Sequence, residues 1–290
     1  MKGESREAPP LASIAPAILV LAFGVMVPAY LLVRTSFSPG STTEALPGWT
    51  FEQWVKFLGD PYYLYSVFET LVIAAATSLA CLLLGAPVGY SIARLPPAKR
   101  RWRMILVILP LSLSLVVVVF GWLVLMGRTG LINNILVGLG LVDAPVRLLF
   151  NTPIVILVLV QQFLPYMILT VMSVCVQIDP VLEDAAASLR SNRLATIRRV
   201  ILPLAFPGLA AGATLVFVLS AVAFVTPRMI GGTRVRMLGG LVYDQVLVIL
   251  NWPFGAALAT GLFVIVLGVL GLSNVLLATT TSRRVARHAS

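Results

Sequence analysis

Six apolar runs, each near or above the roughly 20 residues that cross a bilayer as a helix, leave this chain few folds to choose from. They cover residues 11–33, 64–92, 104–126, 152–174, 209–226 and 254–280. Backbone N–H and C=O groups find no water in hydrocarbon, so each run has to be helical. The first is too long for a signal-peptide core and lacks a clear small-residue cleavage site, so it reads as an uncleaved anchor. Charged residues are only 11% of the chain and hydrophobic ones 59%, against about a quarter charged in a soluble domain. The expected fold is an all-α integral membrane protein with six transmembrane helices.

The net charge of +10 does not point to nucleic acid, because the basic residues are spread among apolar runs rather than gathered on a polar domain. The positive-inside rule accounts for them. Most of the 21 Lys and Arg residues fall on one side: Lys2 and Arg6, the cluster from Arg94 to Arg103, four arginines between Arg190 and Arg199, and Arg283, Arg284 and Arg287. That side, with both termini, is expected to be cytoplasmic. The segment between the first two runs carries Trp49, Trp54, Tyr62 and Tyr63, as a loop at the membrane surface would. The domain reading is a short cytoplasmic N-terminus (1–10), one transmembrane domain (11–280) and a basic cytoplasmic tail (281–290).

Several chemistries are excluded. There is no G-x-x-x-x-G-K-[ST] phosphate loop. Cys81 and Cys175 have no paired spacing and His288 is the one histidine, so neither a metal site nor a hydrolytic constellation is implied. The chain is not read as an enzyme.

The polar segment at 179–208, DPVLEDAAASLRSNRLATIRRVILPLAFPG, is more ordered than a connecting loop needs to be. Asp179 can cap a helix that Pro180 begins, and Glu183 and Asp184 then sit at the favourable end of its dipole. Ala185, Ala186 and Ala187 leave one face bare for close approach. Ser191 and Asn192 can cap a second short helix over residues 193–200, which Pro203 and Pro207 are expected to end.

This segment resembles the cytoplasmic coupling loop of ABC importer permeases of type I, with the pattern E-A-A-x3-G-x9-I-x-L-P. Asp184-Ala185-Ala186 takes the first position and Val200-Ile201-Leu202-Pro203 the last. Asp184 replaces the usual Glu, and Arg190 stands where the glycine belongs. The left-handed turn that glycine supplies cheaply is therefore expected at Ser191-Asn192, with Arg190 keeping ordinary helical angles. Gly130-Leu131-Ile132-Asn133, Tyr243-Asp244-Gln245, Phe224-Val225-Thr226-Pro227 and Asn251-Trp252-Pro253, with Pro110, Ser114 and Trp122, are similar to the spermidine/putrescine-type branch. The likeness spans residues 12–280.

The resemblance implies a multi-pass permease of the bacterial inner membrane. It implies a second, homologous permease chain, two ATPase subunits, an extracytoplasmic substrate-binding protein and surrounding lipid as partners, with no nucleic acid. No cofactor is bound by this chain; ATP and Mg belong to the partner ATPase. The implied ATPase-coupling residues are Glu183, Asp184, Ala185, Ala186, Arg190, Leu202 and Pro203. The solute pointed to is a polyamine, with another small organic solute (an amino acid derivative, opine or phosphonate) as the alternative. A secondary transporter is the distant one, since it would need an internal repeat and buried coupling charges.

Polar groups at span depth supply the substrate-path candidates Glu69, Trp122, Gln161, Gln162, Tyr166, Phe224 and Thr226. Gln162 and Tyr166 are one helical turn apart, beside Pro165. The glutamines either line the path or hydrogen-bond neighbouring helices. Glu69 either meets the solute or reaches the interface. Two features differ from the polyamine branch: Ala223 where an acid often precedes the Phe-Val-x-Pro segment, and Val118 where an Arg is common.

Overall fold

The computed structural model describes residues 11–40 and 48–288, with side-chain surroundings from Leu19 to Ser273 apart from residues 41–47. The expected N-terminal segment 1–10 lies outside the described residues, as do the side chains of the basic tail. By its internal contacts the chain divides into two compact units. One takes in the chain up to Asp60 together with Val242–Gly261; the other takes in Pro61–Leu241 and the chain from Leu262. Among the described residues six helices are long and apolar enough to cross a membrane.

Helix α1, Leu11–Ser36, carries Pro16 and Pro28 inside it. Helix α2, Glu52–Gly59, follows, held by an aromatic cluster in which the Phe37 ring lies 5.8 Å from Trp54 and 5.4 Å from Phe51. The Trp54 indole donates to Ser36 Oγ (3.3 Å) and Lys56 sits 4.4 Å over the Phe254 ring. The surface loop read from the sequence thus contains a short amphipathic helix.

Helix α3, Pro61–Ala93, stops ahead of Pro96, as the residue before a proline disfavours helical angles. Helix α4, Pro97–Ile108, begins with a proline at its first turn, where no N–H is missed. The span expected over residues 104–126 is not one helix. Pro110 lies in a 3-10 turn, Leu109–Ser112; Leu113 and Ser114 are extended, and α5, Leu115–Met126, starts afresh. The proline removes a donor from the ladder and the chain uses that point to change direction. Helix α6, Leu131–Gly138, is pinned by buried Asn133, whose amide donates to Gly127 O and Val146 O and accepts from Val146 N at 2.9–3.1 Å. Helix α7, Thr152–Gln177, is capped by Asn151, which accepts from Ile154 N at 3.1 Å.

The polar segment forms α8, Val181–Ser188, and α9, Arg193–Thr196. Pro203 and Pro207 do not end the second helix, contrary to the sequence reading. It passes through a π turn, Ile197–Ile201, in which Leu202 N bonds Ile197 O, and runs on as α10, Leu202–Ala221. Pro203 stands in the first turn of α10, directly after the wider turn, and the helical path continues through it. The break expected at Pro227 falls earlier, after Val222, and Pro227 lies in a π turn, Pro227–Gly231. Helix α11, Leu238–Tyr243, and α12, Trp252–His288, are the last elements, so the tail is helical in its backbone as far as His288.

The core of the larger unit is the packing of α3, α7 and α10 on one another. Ile73, Cys81, Val155, Leu159, Met167 and Val216 are wholly or almost wholly buried. Glycine permits the approach. A Cβ on Gly89 would stand 2.8 Å from Ile168 O, and one on Gly212 would stand 2.8 Å from Met167 Sδ. Ser78 adds a hydrogen bond to Ala213 O at 2.7 Å. Small residues and interhelical polar bonds are what hold helices together where the surroundings are as apolar as the side chains.

Candidate functional site

Two places in the larger unit carry polar order that packing does not require. The first is a cleft between α7 and the broken third span. Pro110, Leu111, Leu113, Leu115 and Val118 form one wall; Gln161, Gln162, Phe163 and Tyr166 form the other, around about 150 Å³. The break at Leu109–Ser114 lies in the first wall, and α7 carries a buried Pro165 beside Tyr166. Gln161 Oε1 accepts from the Trp122 indole at 3.1 Å and Gln162 Oε1 accepts from Thr226 Oγ1 at 3.0 Å. The glutamines therefore bond neighbouring segments, as one of the two expectations had it, and they also line this cleft.

Five of the seven path candidates are thus brought together, with Trp122 and Thr226 standing behind the glutamines. Glu69 and Phe224 are not among the residues lining the cleft. Glu69 is buried, 8% exposed, and its Oε2 accepts from Arg236 N at 3.1 Å, while Thr70 Oγ1 accepts from Leu238 N at 2.9 Å. These adjacent side chains anchor the approach to α11, which is an architectural task. Phe224 sits in the break after α10. Among the described residues no carboxylate lines the cleft.

The second place is the segment of α8 and α9. Asp179 Oδ1 accepts from Val181 N at 2.9 Å, starting α8 as the sequence suggests. Asp184, Ala185 and Ala187 are exposed, and so are Leu189 (84%) and Leu194 (74%). Asn192 caps α9 by accepting from Ala195 N at 2.7 Å. The left-handed residue is Arg190, with φ of 56°, whereas Asn192 has φ of −72°. The sequence reading of the bend is overturned. Arg190 N bonds Ala187 O at 2.9 Å and Ser191 N bonds Ala186 O at 3.1 Å, the paired bonds of a Schellman ending. Those bonds satisfy two carbonyls that α8 would leave open. They fix the left-handed site two residues past α8, just beyond its C-cap Leu189, whatever side chain stands there. Leu202 is half exposed and Pro203 opens α10.

Glu183 differs from its neighbour. Its Oε1 takes the Arg94 Nε at 2.6 Å and its Oε2 takes the Tyr90 hydroxyl at 2.8 Å. Arg94 Nη1 donates as well to Cys175 O (3.0 Å) and Ile178 O (2.9 Å) at the end of α7. Neither Tyr90 nor Arg94 stands out in the sequence, where Arg94 is one cation at the edge of a basic run.

Residues 85–277 match the family described as binding-protein-dependent transport system inner membrane component. The chain belongs to this family. It is 34% identical to the spermidine/putrescine transport system permease protein PotB of Haemophilus influenzae, over 84% of this chain and 86% of that protein. It is 32% identical to PotB of Escherichia coli K12 over 83% and 88%. Among solved structures, a bacterial importer of the acidic polysaccharide alginate superposes with a TM-score of 0.67 at 18% identity, covering 91% of this chain and 94% of its own. The family member described here is a multi-pass inner-membrane permease with the importer-permease fold.

Proposed function

We propose that this permease is one membrane subunit of an ATP-driven polyamine importer. It works beside a second, homologous permease chain, two ATPase subunits carrying ATP and Mg, and an extracytoplasmic protein that delivers the solute. The observation that carries the reading is the likeness to two PotB proteins over more than four-fifths of the chain, joined to an α8–α9 segment whose acidic and alanine face is exposed. Asp184, Ala185 and Ala186 dock on an ATPase; Arg190 shapes the bend, and Leu202 and Pro203 pass the motion into α10. The solute passes the cleft of Gln161, Gln162 and Tyr166. Since no carboxylate lines that cleft among the described residues, the Tyr166 ring and the amide oxygens are the groups there that replace water around an ammonium group.

Co-expression with the partner subunits tests this. The wild-type chain retains stoichiometric ATPase through purification and supports uptake of labelled spermidine, which unlabelled putrescine reduces and an opine or phosphonate does not. Asp184→Lys presses a reversed charge on the ATPase. Disturbing one buried interfacial charge costs about 2–5 kcal/mol, so ATPase retention and uptake are both lost while the chain still inserts. Wild-type retention and uptake in that variant would refute the docking role.

A further inference from the structure

The two adjacent acids at the start of α8 are committed to different tasks. Successive residues on a helix point about 100° apart. Asp184 is exposed to the side a partner would approach, while Glu183 turns inward and has each carboxylate oxygen engaged, by Arg94 and by Tyr90. Tyr90 and Arg94 stand at the last turn of α3 and just beyond it. The same guanidinium holds the carbonyls of Cys175 and Ile178, which close α7. One arginine therefore joins the end of α3, the end of α7 and the first turn of α8.

We infer that Glu183 and Arg94 are positioning residues of the transport cycle, a strut that makes α8 move as one body with α3 and α7 rather than an ATPase contact. The inference rests on the importer reading above and concerns how the same loop transmits force. Without the strut, α8 would join the spans only through its two ends, the Ile178–Pro180 link from α7 and the Leu189–Asn192 bend that leads by α9 into α10, and backbone torsions at those ends other than the fixed φ of Pro180 would absorb displacement. With it, α8 is also held by side chains at the end of α3, and a push on Asp184 reaches the ends of two core spans directly. Rigid-body rocking requires such a link. The pair is a poor device for stability alone. Glu183 and Arg94 are only 26% and 18% exposed, and Arg94 Nη2 is buried with no acceptor among the described residues, so desolvation offsets much of the attraction. What the arrangement supplies is geometry: a planar fork that meets a carboxylate and two carbonyls at fixed angles.

The test uses the co-expressed complex in membranes and measures chain abundance, ATPase retention, ATP hydrolysis and labelled spermidine uptake. Glu183→Ala keeps ATPase bound and hydrolysing, but uptake per ATP falls about tenfold, the worth of a lost charge-assisted bond. Arg94→Gln gives the same signature, and the double variant is no worse than Arg94→Gln, because both act through one joint. Tyr90→Phe removes a single bond and no charge, so it tests the joint even where Arg94→Gln reduces insertion. Its smaller loss of uptake per ATP is present alone and absent in the Glu183→Ala background. Loss of ATPase retention in Glu183→Ala, like that in Asp184→Lys, would overturn the strut and leave the importer reading standing, as would losses that multiply in the double variant. A wild-type chain that retains no ATPase would overturn both.

Discussion

Helices α1 and α7 are each 26 residues long, each apolar and each interrupted by proline, yet they meet different surroundings. Of the most apolar 18-residue stretch in each, 6% is buried in α1 and 44% in α7. The difference shows that apolarity decides membrane residence without deciding which helix becomes core. Hydrocarbon and protein interior offer a leucine much the same environment, so the choice falls to close approach and polar bonds. Helix α7 has both. Gly85 and Gly89 of α3 and Gly208 and Gly212 of α10 lie against its side chains and backbone. Gln161, Gln162 and its terminal carbonyls take bonds from Trp122, Thr226 and Arg94. Gly24 in α1 has open space where a Cβ would go.

Paired glycine substitutions are the strongest way to break that comparison. Gly89→Val should cost about 1–3 kcal/mol or more as an overpacked contact, because its nearest obstacle is the Ile168 carbonyl rather than a side chain able to swing away. A lower thermal midpoint in detergent checks this, and an unchanged midpoint would mean that α3 and α7 are not closely packed. Arg190→Gly tests the segment beyond α7 and should raise stability by about 1 kcal/mol, by relieving a left-handed non-glycine residue. A loss on that substitution would show that the Arg190 side chain contributes more than its backbone costs. Gly24→Val in α1 should change the midpoint of the isolated chain by less than about 0.5 kcal/mol. A loss that develops only when the partner subunits are present would sharpen the comparison by placing a subunit against that face of α1.

The number of spans and the ordered α8–α9 segment were legible in the amino-acid order, since they follow from local chemistry, whereas the third span was misplaced because its break at Leu109–Ser114 was not foreseen. A run of apolar residues has to be helical in lipid. Asp179 and Asn192 act as caps from positions where the backbone needs an acceptor. Gln162 and Tyr166 share a helical face by their spacing. The sequence misplaced what depends on neighbours distant in the chain or on a bond pattern. Glu69 was open between meeting a solute and reaching the interface, whereas its carboxylate takes Arg236 N, 167 residues away. Pro203 looked like a terminator because a π turn leaves no mark in the order of residues. Arg190 looked unfit for a left-handed turn, but the position of that turn is set by where α8 ends and which carbonyls need donors, not by side-chain preference.

Local order thus determined that this chain crosses a membrane six times and presents an acidic, alanine-faced helix between its fourth and fifth spans. The tertiary structure alone decided that α3, α7 and α10 form the core, that the break at Leu109–Ser114 lies in the cleft wall opposite the glutamines, and that of two neighbouring acids Glu183 faces inward to Arg94 while Asp184 faces out. The physical reason is range. Capping, helix periodicity and hydrophobicity act within a few residues, whereas close glycine contacts and interhelical bonds join positions dozens to more than a hundred residues apart, which come together only once the helices have packed.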